Sequence, residues 1–129
     1  MDLKAYFQDI KGEGILATAD GEGRVDLAVY ARPHFMDDGT IAFIMADRLT
    51  HHNLLSNPYA AYMFMEEGPG YKGVRLFLKK VREEADTELL YTIRRRKYAA
   101  EPNQEEKSKF LVFFQVEKQL PLIGSGDPD

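Results

Sequence analysis

Cysteine is absent from the 129 residues of this chain. Its absence excludes disulfides, iron–sulfur clusters, thiolate zinc sites and cysteine nucleophiles, and it is compatible with a reducing compartment. No apolar run reaches the roughly 20 residues that a membrane-spanning helix needs. The first residues include an early acid and no continuous apolar segment. We therefore expect no signal peptide, no membrane partner and a cytoplasmic protein.

The chain also lacks a basic excess. Lys and Arg number 17 against 21 Asp and Glu, which gives a formal net charge of −4. Proteins that bind nucleic acids usually carry a basic excess on one face, so we expect no nucleic-acid partner. The basic run at residues 94–97 falls at the end of a predicted helix, where cations complement the helix dipole.

Short apolar stretches separated by turn-forming residues make up most of the chain. Asp and Gly residues at 20–23 and 37–39 suit hairpin turns, which join antiparallel strands. The pattern predicts a single domain with a mainly β (α+β) fold: a six-stranded antiparallel barrel, closed or partly closed, with two or three short helices. The predicted elements are strands at residues 15–18, 25–35, 41–45, 59–65, 71–81 and 110–116, helices at 3–10 and 50–57, a helix capped by Asp86, and a polar loop at 99–109.

The segment from residue 25 to residue 64 carries the pattern most suggestive of chemistry. Two apolar strands flank an Asp-Asp-Gly turn, and a cationic helix start at residues 48–52 precedes a further strand. Unpaired N–H groups at a helix N-terminus attract anions, and Arg48, Thr50 and His51 add charge and a hydroxyl donor. Thr50 is also the predicted N-cap. We therefore predict that the helix start holds a phosphate and that the strands hold a planar apolar ring.

The adjacent histidines His51 and His52 also suggest a metal site. Ligands on a helix need a spacing of three or four residues to share one face, whereas adjacent residues point about 100° apart, so we predict no metal. Two interpretations remain: phosphate contact, which we favour, and polar residues in a first helical turn. The acidic pairs at residues 66–67 and 83–84 are expected on solvated faces, and no catalytic residue is predicted.

Two tyrosines stand apart from the aromatic residues that are expected in the core. Tyr30 lies on the strand that leads into the Arg32-Pro33-His34 bend, and Tyr71 follows a Gly-Pro-Gly loop. Either side chain could cover a planar ring at a subunit interface.

The order of these segments resembles the pyridoxamine 5'-phosphate oxidase-like, FMN-binding split-barrel proteins. The resemblance covers most of the chain and rests on the spacing from Gly39 to Asn57-Pro58. Its matching segments are residues 14–19, 28–31, 37–41 and 50–58. The chain has no recognisable match to the C-terminal arginine–histidine substrate motif of the true oxidase, so it looks like a short FMN-binding relative.

The resemblance implies a homodimeric split barrel with FMN in two clefts at the dimer interface. Thr50 stands where relatives often have a lysine, and Ala28 where they often have an arginine, which leaves fewer cations for the phosphate. Three groups of residues are implied at the cofactor: Ala28, Val29, Tyr30 and Ala31 at the ring edge; Phe43, Ile44 and Met45 at the ring or ribityl chain; and Arg48, Leu49, Thr50 and His51 at the phosphate. Tyr71 joins them as the second candidate to cover the ring.

We therefore expect a cytoplasmic homodimeric flavoprotein that passes electrons between FMN and an unidentified small molecule or redox partner. One alternative is a flavin-binding or electron-transfer protein without enzymatic activity. Another is a haem-binding split barrel, for which His34, His51 and His52 are the available axial ligands.

Overall fold

A computed structural model describes residues 2–85, 87–98 and 109–124, with side chains except at residues 94–98. The predicted cap at Asp86, most of the predicted loop at 99–109 and the side chains of the basic run therefore lie outside the described residues. The elements in chain order are α1 (Leu3–Gln8), β1 (Gly12–Ala19), β2 (Val25–Val29), β3 (His34–Phe35), β4 (Ile41–Ala46), α2 (Leu49–Ser56), β5 (Tyr59–Glu66), β6 (Gly73–Ala85), α3 (Glu88–Tyr98) and β7 (Lys109–Pro121).

The strands of the described residues form one antiparallel sheet in the order β2-β1-β5-β6-β7-β4-β3. The mainly β, antiparallel prediction is confirmed, whereas the strand count is wrong: seven strands are present where six were predicted. The predicted strand over residues 25–35 is interrupted, because the main chain leaves the sheet after Val29 and Pro33 cannot donate a ladder hydrogen bond. Its two parts are the edge strands β2 and β3.

The sheet is open but strongly curled. β2 and β3 lie at its opposite edges, yet only residues 30–33 link them. An extended chain spans at most about 3.6 Å per residue, so the end of β2 and the start of β3 lie within roughly 18 Å of each other. The two edges must therefore approach, which gives a barrel that is split between β2 and β3.

The interior of the curled sheet is aromatic. Phe7 from α1 packs inside it, and the other fully buried rings are Phe43, Tyr62, Phe64 and Phe114. A second cluster lies on the outer face of β4 and β7, where α3 contributes Leu90 and Ile93. Because both faces of β4 and of the first part of β7 are covered, Ile41–Ala46 and residues 111–114 have nearly continuous burial and not the alternation of a half-exposed strand.

The start of α2 differs from the prediction. Arg48, not Thr50, is the N-cap, and no side chain caps the helix. Thr50 instead lies within the first turn and is buried. Its side chain contacts Tyr30 and does not cap the amide groups of the helix. The predicted end is close to correct, because α2 stops at Ser56, two residues before Pro58. No helix in the described part of the chain has both the length and the apolar character needed to cross a bilayer.

Candidate functional site

The end of β2, the middle of β4 and the start of α2 meet at one place. The side chain of Thr50 hydrogen-bonds the Tyr30 phenol. The Tyr30 ring also stands edge-on to Phe43, with ring centroids 5.9 Å apart and planes at 86°. Burial raises the pKa of Tyr30, while the Thr50 hydrogen bond and the charge of Arg48 oppose that rise. Four of the predicted site residues are thus neighbours; we call Tyr30, Phe43, Arg48 and Thr50 the ring–helix cluster.

The N-terminus of α2 presents donors without acceptors. No described residue accepts a hydrogen bond from the amide N–H of Leu49, Thr50 or His51, as is usual for the first turn of a helix without a side-chain cap. The Arg48 side chain is exposed, and its guanidinium has no hydrogen-bond or ion-pair partner within the described ranges. Amide donors, a positive helix end and an unpaired cation are the chemistry that a phosphate group requires.

His51 has a different environment from the one expected of a phosphate ligand. Its Nε2 lies 3.1 Å from both carboxylate oxygens of Glu83, and its ring stacks on Phe110 at 3.8 Å. Its Nδ1 lies 3.4 Å from an Asp47 oxygen, within ion-pair distance but without hydrogen-bond geometry. The structure thus directs this buried imidazole toward β6, and a phosphate contact from its side chain stays a prediction.

Glu83 completes this partly buried polar contact. Lys80 Nζ lies 2.6 Å from its Oε1. Burial favours a raised pKa for the Glu83 carboxyl, but the hydrogen bonds and charges of Lys80 and His51 outweigh burial and hold the pKa below its ordinary value. The expectation of a solvated acidic pair is therefore wrong for Glu83, because β6 continues past residue 81 and carries this carboxylate under α2. No group of three or more potential metal-ligating side chains occurs among the residues with described side chains.

The remaining predicted residues are dispersed around the ring–helix cluster. Met45 is buried in the barrel interior with Phe43, whereas Ile44 faces the opposite side of β4 and packs against the α3 cluster. Tyr71 lies in the β5–β6 loop, 68% exposed and with a φ of 48°, and no described contact joins it to the cluster. Four lie nearer: Ala28 and Val29 are on β2, Ala31 is two residues beyond its end, and Leu49 is in the first turn of α2.

An apolar surface adjoins the cluster. Val25, Leu27 and Val29 point outward from the edge strand β2 and are 82%, 70% and 82% exposed. Directly paired residues of an antiparallel sheet share a face, so the register extends this surface across β1, β5 and β6. The outer apolar face comprises Val25, Leu27, Val29, Ile15, Ala17, Ala61, Met63 and Phe77. Contiguous exposed apolar surface of this kind usually marks an interaction site.

Two cavities of the described residues lie outside the ring–helix cluster. One of about 820 Å³ is lined by α1, β3 and α3 residues, among them Phe7, Arg32 and Leu89. Another of about 570 Å³ lies between the β1–β2 turn and α2, against Leu49 and His52. Neither cavity is lined by a residue of the ring–helix cluster, and a cleft that needs a second copy of the chain to close it would be open in one copy.

Sequence reasoning missed two residues that shape this region. They are Tyr62 of β5 and Gly14 of β1, and neither is among the residues predicted at the site. In the structure the Tyr62 hydroxyl lies 3.2 Å from the Tyr30 carbonyl oxygen and 3.1 Å from that of Ala31. Gly14 lies inside β1, which begins at Gly12 and not at residue 15 as predicted, and a glycine inside a strand often marks a close approach of another segment.

The curled sheet, open between β2 and β3 and carrying short helices, defines the chain as a split-barrel protein. The family model described as pyridoxamine 5'-phosphate oxidase matches residues 11–118. The chain therefore belongs to the pyridoxamine 5'-phosphate oxidase family, which confirms the resemblance inferred from the sequence. No curated protein gives a significant match.

Solved structures support the fold. An FMN-binding protein from Syntrophomonas wolfei subsp. wolfei is similar with 20% identity and a TM-score of 0.72, over 91% of this chain and 81% of that one. The haem storage protein HutZ from Vibrio cholerae is similar with 18% identity and a TM-score of 0.70, over 92% and 91%. An F420 reductase is similar with 16% identity and a TM-score of 0.69, over 89% and 94%. At such identities these likenesses establish the fold alone.

Proposed function

We propose that this protein is a cytoplasmic, homodimeric flavoprotein that binds FMN and passes electrons between it and a small-molecule substrate or redox partner. The observation that carries the proposal is the uncapped start of α2, where three amide donors and the unpaired Arg48 guanidinium adjoin the Tyr30–Phe43 ring pair. Membership of the oxidase family and the fold shared with an FMN-binding protein support it.

The phosphate of FMN suits the start of α2. Each charge-assisted hydrogen bond to a phosphate oxygen contributes roughly 1.5–3 kcal/mol. Thr50 and Ala28 occupy positions where relatives often carry cations, so Arg48 is the strongest positive charge that the described cluster offers. Its role should accordingly be larger here than in a relative with two or three such cations.

The ring of the cofactor suits the apolar side of the same cluster. Tyr30 is half-buried and offers an aromatic surface that the buried Phe43 ring supports edge-on, and Val29 and Ala31 flank Tyr30 on the main chain. Bound FMN supplies the redox chemistry, while the protein contributes position and electrostatics. No described side chain is assigned as an acid, base or nucleophile.

A second copy of the chain is the proposed cover for the outer apolar face. The face borders the ring–helix cluster through Val29, so a two-fold partner seated on it would also close the flavin cleft. We expect the dimer to bury more than about 1,600 Å² in total, which is the standard size of a stable interface.

Fluorescence titration of the purified protein with FMN, riboflavin and haemin tests the proposal. We expect saturable quenching of FMN fluorescence with tighter binding of FMN than of riboflavin, because riboflavin has no phosphate. Equal affinity for both flavins would show that the start of α2 does not bind the phosphate. The absence of flavin binding would refute the proposal. Flavin-dependent oxidation of NAD(P)H would distinguish an enzyme from a flavoprotein that only carries electrons.

Haem binding is the second candidate, and its supporting observation is the fold shared with the haem storage protein HutZ. His52 is exposed on α2 and could approach a haem iron, whereas Glu83 engages the Nε2 of His51. Under the flavin proposal, the absorption spectrum of the protein with added haemin should be the same for the wild type and for His52→Ala. A haemin absorption band that is lost in His52→Ala would favour the haem candidate.

A further inference from the structure

We propose that Tyr62 is a positioning residue: its hydroxyl bends the main chain after β2 and thereby turns the Ala31 amide N–H toward the ligand. This inference rests on the proposed function, because the ligand is taken to be the flavin ring. It assigns to a buried tyrosine of β5 a role that its burial alone would not indicate.

The hydroxyl contact is unusual for an extended segment. Carbonyl groups of successive residues normally point to opposite sides of a strand, yet those of Tyr30 and Ala31 both lie within 3.2 Å of one Tyr62 Oη. The phenol proton is therefore shared between two acceptors. Burial raises the pKa of Tyr62, which keeps the phenol protonated and able to donate.

The contact between Tyr62 and the main chain leaves no space for a side chain at Gly14. A Cβ atom at residue 14 would lie 1.9 Å from Tyr62 Oη and 2.5 Å from the Tyr30 carbonyl oxygen. The Gly14 carbonyl also accepts the Tyr30 N–H at 3.0 Å. Residues from β1 and β5 thus fix the main chain at Tyr30 from two sides.

The orientation of the Ala31 amide follows from the planar trans peptide. In such a unit the N–H points opposite to the C=O of the preceding residue, so the Ala31 N–H points away from Tyr62. Ala31 is exposed, and no described residue accepts a hydrogen bond from its N–H. This donor therefore faces the side of the segment on which the proposed flavin ring edge, rich in acceptor atoms, would lie.

The test compares Tyr62→Phe with Tyr6→Phe. The first variant keeps the buried ring and removes the shared hydrogen bond. The control removes a tyrosine hydroxyl that bonds Glu66 at 2.5 Å and does not touch residues 30–31. In ligand-free protein, we expect amide exchange at Tyr30 to rise about tenfold in Tyr62→Phe, since the segment opens more often, and to change little in Tyr6→Phe.

Flavin titrations then test the effect on binding. We expect Tyr62→Phe to weaken FMN and riboflavin by the same factor of about ten, because the lost orientation concerns the ring and not the phosphate. We also expect a shifted absorption spectrum of the bound flavin. Replacement of Tyr62 by 4-aminophenylalanine, which restores donors at this position, should recover wild-type exchange, affinity and spectrum even if Tyr62→Phe folds poorly.

Each outcome decides a separate part of the inference. Unchanged exchange at Tyr30 in Tyr62→Phe would refute the bend, and increased exchange with unchanged flavin affinity would refute the positioning role. If the wild-type protein binds no flavin, the proposed function fails and the assignment of Ala31 as a flavin donor fails with it. The exchange measurement still decides in that case whether Tyr62 holds the segment.

Discussion

Replacing Arg48 by alanine is expected to weaken FMN binding about tenfold and to leave riboflavin binding nearly unchanged. A charge-assisted hydrogen bond is worth roughly 1.5–3 kcal/mol, and about 1.4 kcal/mol corresponds to a factor of ten in affinity. Because the Arg48 side chain is exposed, solvent screens its charge and the loss should fall near the lower end of that range. The amide donors of α2 remain in the variant, so FMN binding should be weakened and not abolished.

The assay is paired titration of both flavins at low and high salt. Wild-type affinity for FMN should decrease as salt rises, and that dependence should be shallower in Arg48→Ala. Arg24→Ala is the matched control, since Arg24 is an exposed arginine that pairs with Asp20 and Glu22 in the β1–β2 turn. Equal weakening of FMN and riboflavin by Arg48→Ala, or an equal effect of Arg24→Ala, would refute a phosphate contact from Arg48.

Four further changes test the fold and the assembly. Thr50→Val should cost about 1 kcal/mol of unfolding free energy in urea, because the Tyr30 phenol loses its hydrogen-bond partner. Gly14→Ala should cost about 3 kcal/mol or more by the same measurement, since its Cβ would overlap the Tyr62 hydroxyl. Leu27→Asp should make the protein monomeric in sedimentation analysis, whereas we expect the wild type to be a dimer, because the variant places a charge on the β2 edge of the outer apolar face; an unchanged dimer would locate the interface elsewhere. The pKa of Glu83 lies below its ordinary value of 4.5. The ionised carboxylate therefore stabilises the fold above pH 4.5, and this stabilisation is lost as the pH falls through the lower pKa of the folded state. In Glu83→Gln, the free energy of unfolding should consequently decrease less steeply as the pH is lowered through this range.

The sequence pattern predicted the sheet better than it predicted the ends of the elements. Alternating apolar residues and the Asp-Gly turns located most of the strands, because burial of one face and turn geometry are local properties. Residues 25–35 were predicted as one strand with a bend at Pro33, a local signal. Nothing local indicates that the Tyr62 hydroxyl, 32 residues away from Tyr30, takes two carbonyl groups out of the ladder.

In the candidate site, too, local features were predicted from the sequence and long-range contacts were not. Arg48, Thr50 and the start of α2 were predicted from the local cationic and capping pattern, and Tyr30 from its place before a bend. The N-cap was assigned to Thr50 because its side chain has high capping preference, but the tertiary contact with Tyr30 determines where that hydroxyl points. The pairing of His51 with Glu83 depends on the continuation of β6 under α2, which no local pattern reveals.

The visible absorption spectrum of the purified protein, recorded before and after addition of FMN, tests the central claim most directly. The account predicts a protein-bound flavin spectrum that saturates at one FMN per protomer. A spectrum without bound flavin after FMN addition, or a haem band in the protein as purified, would contradict it.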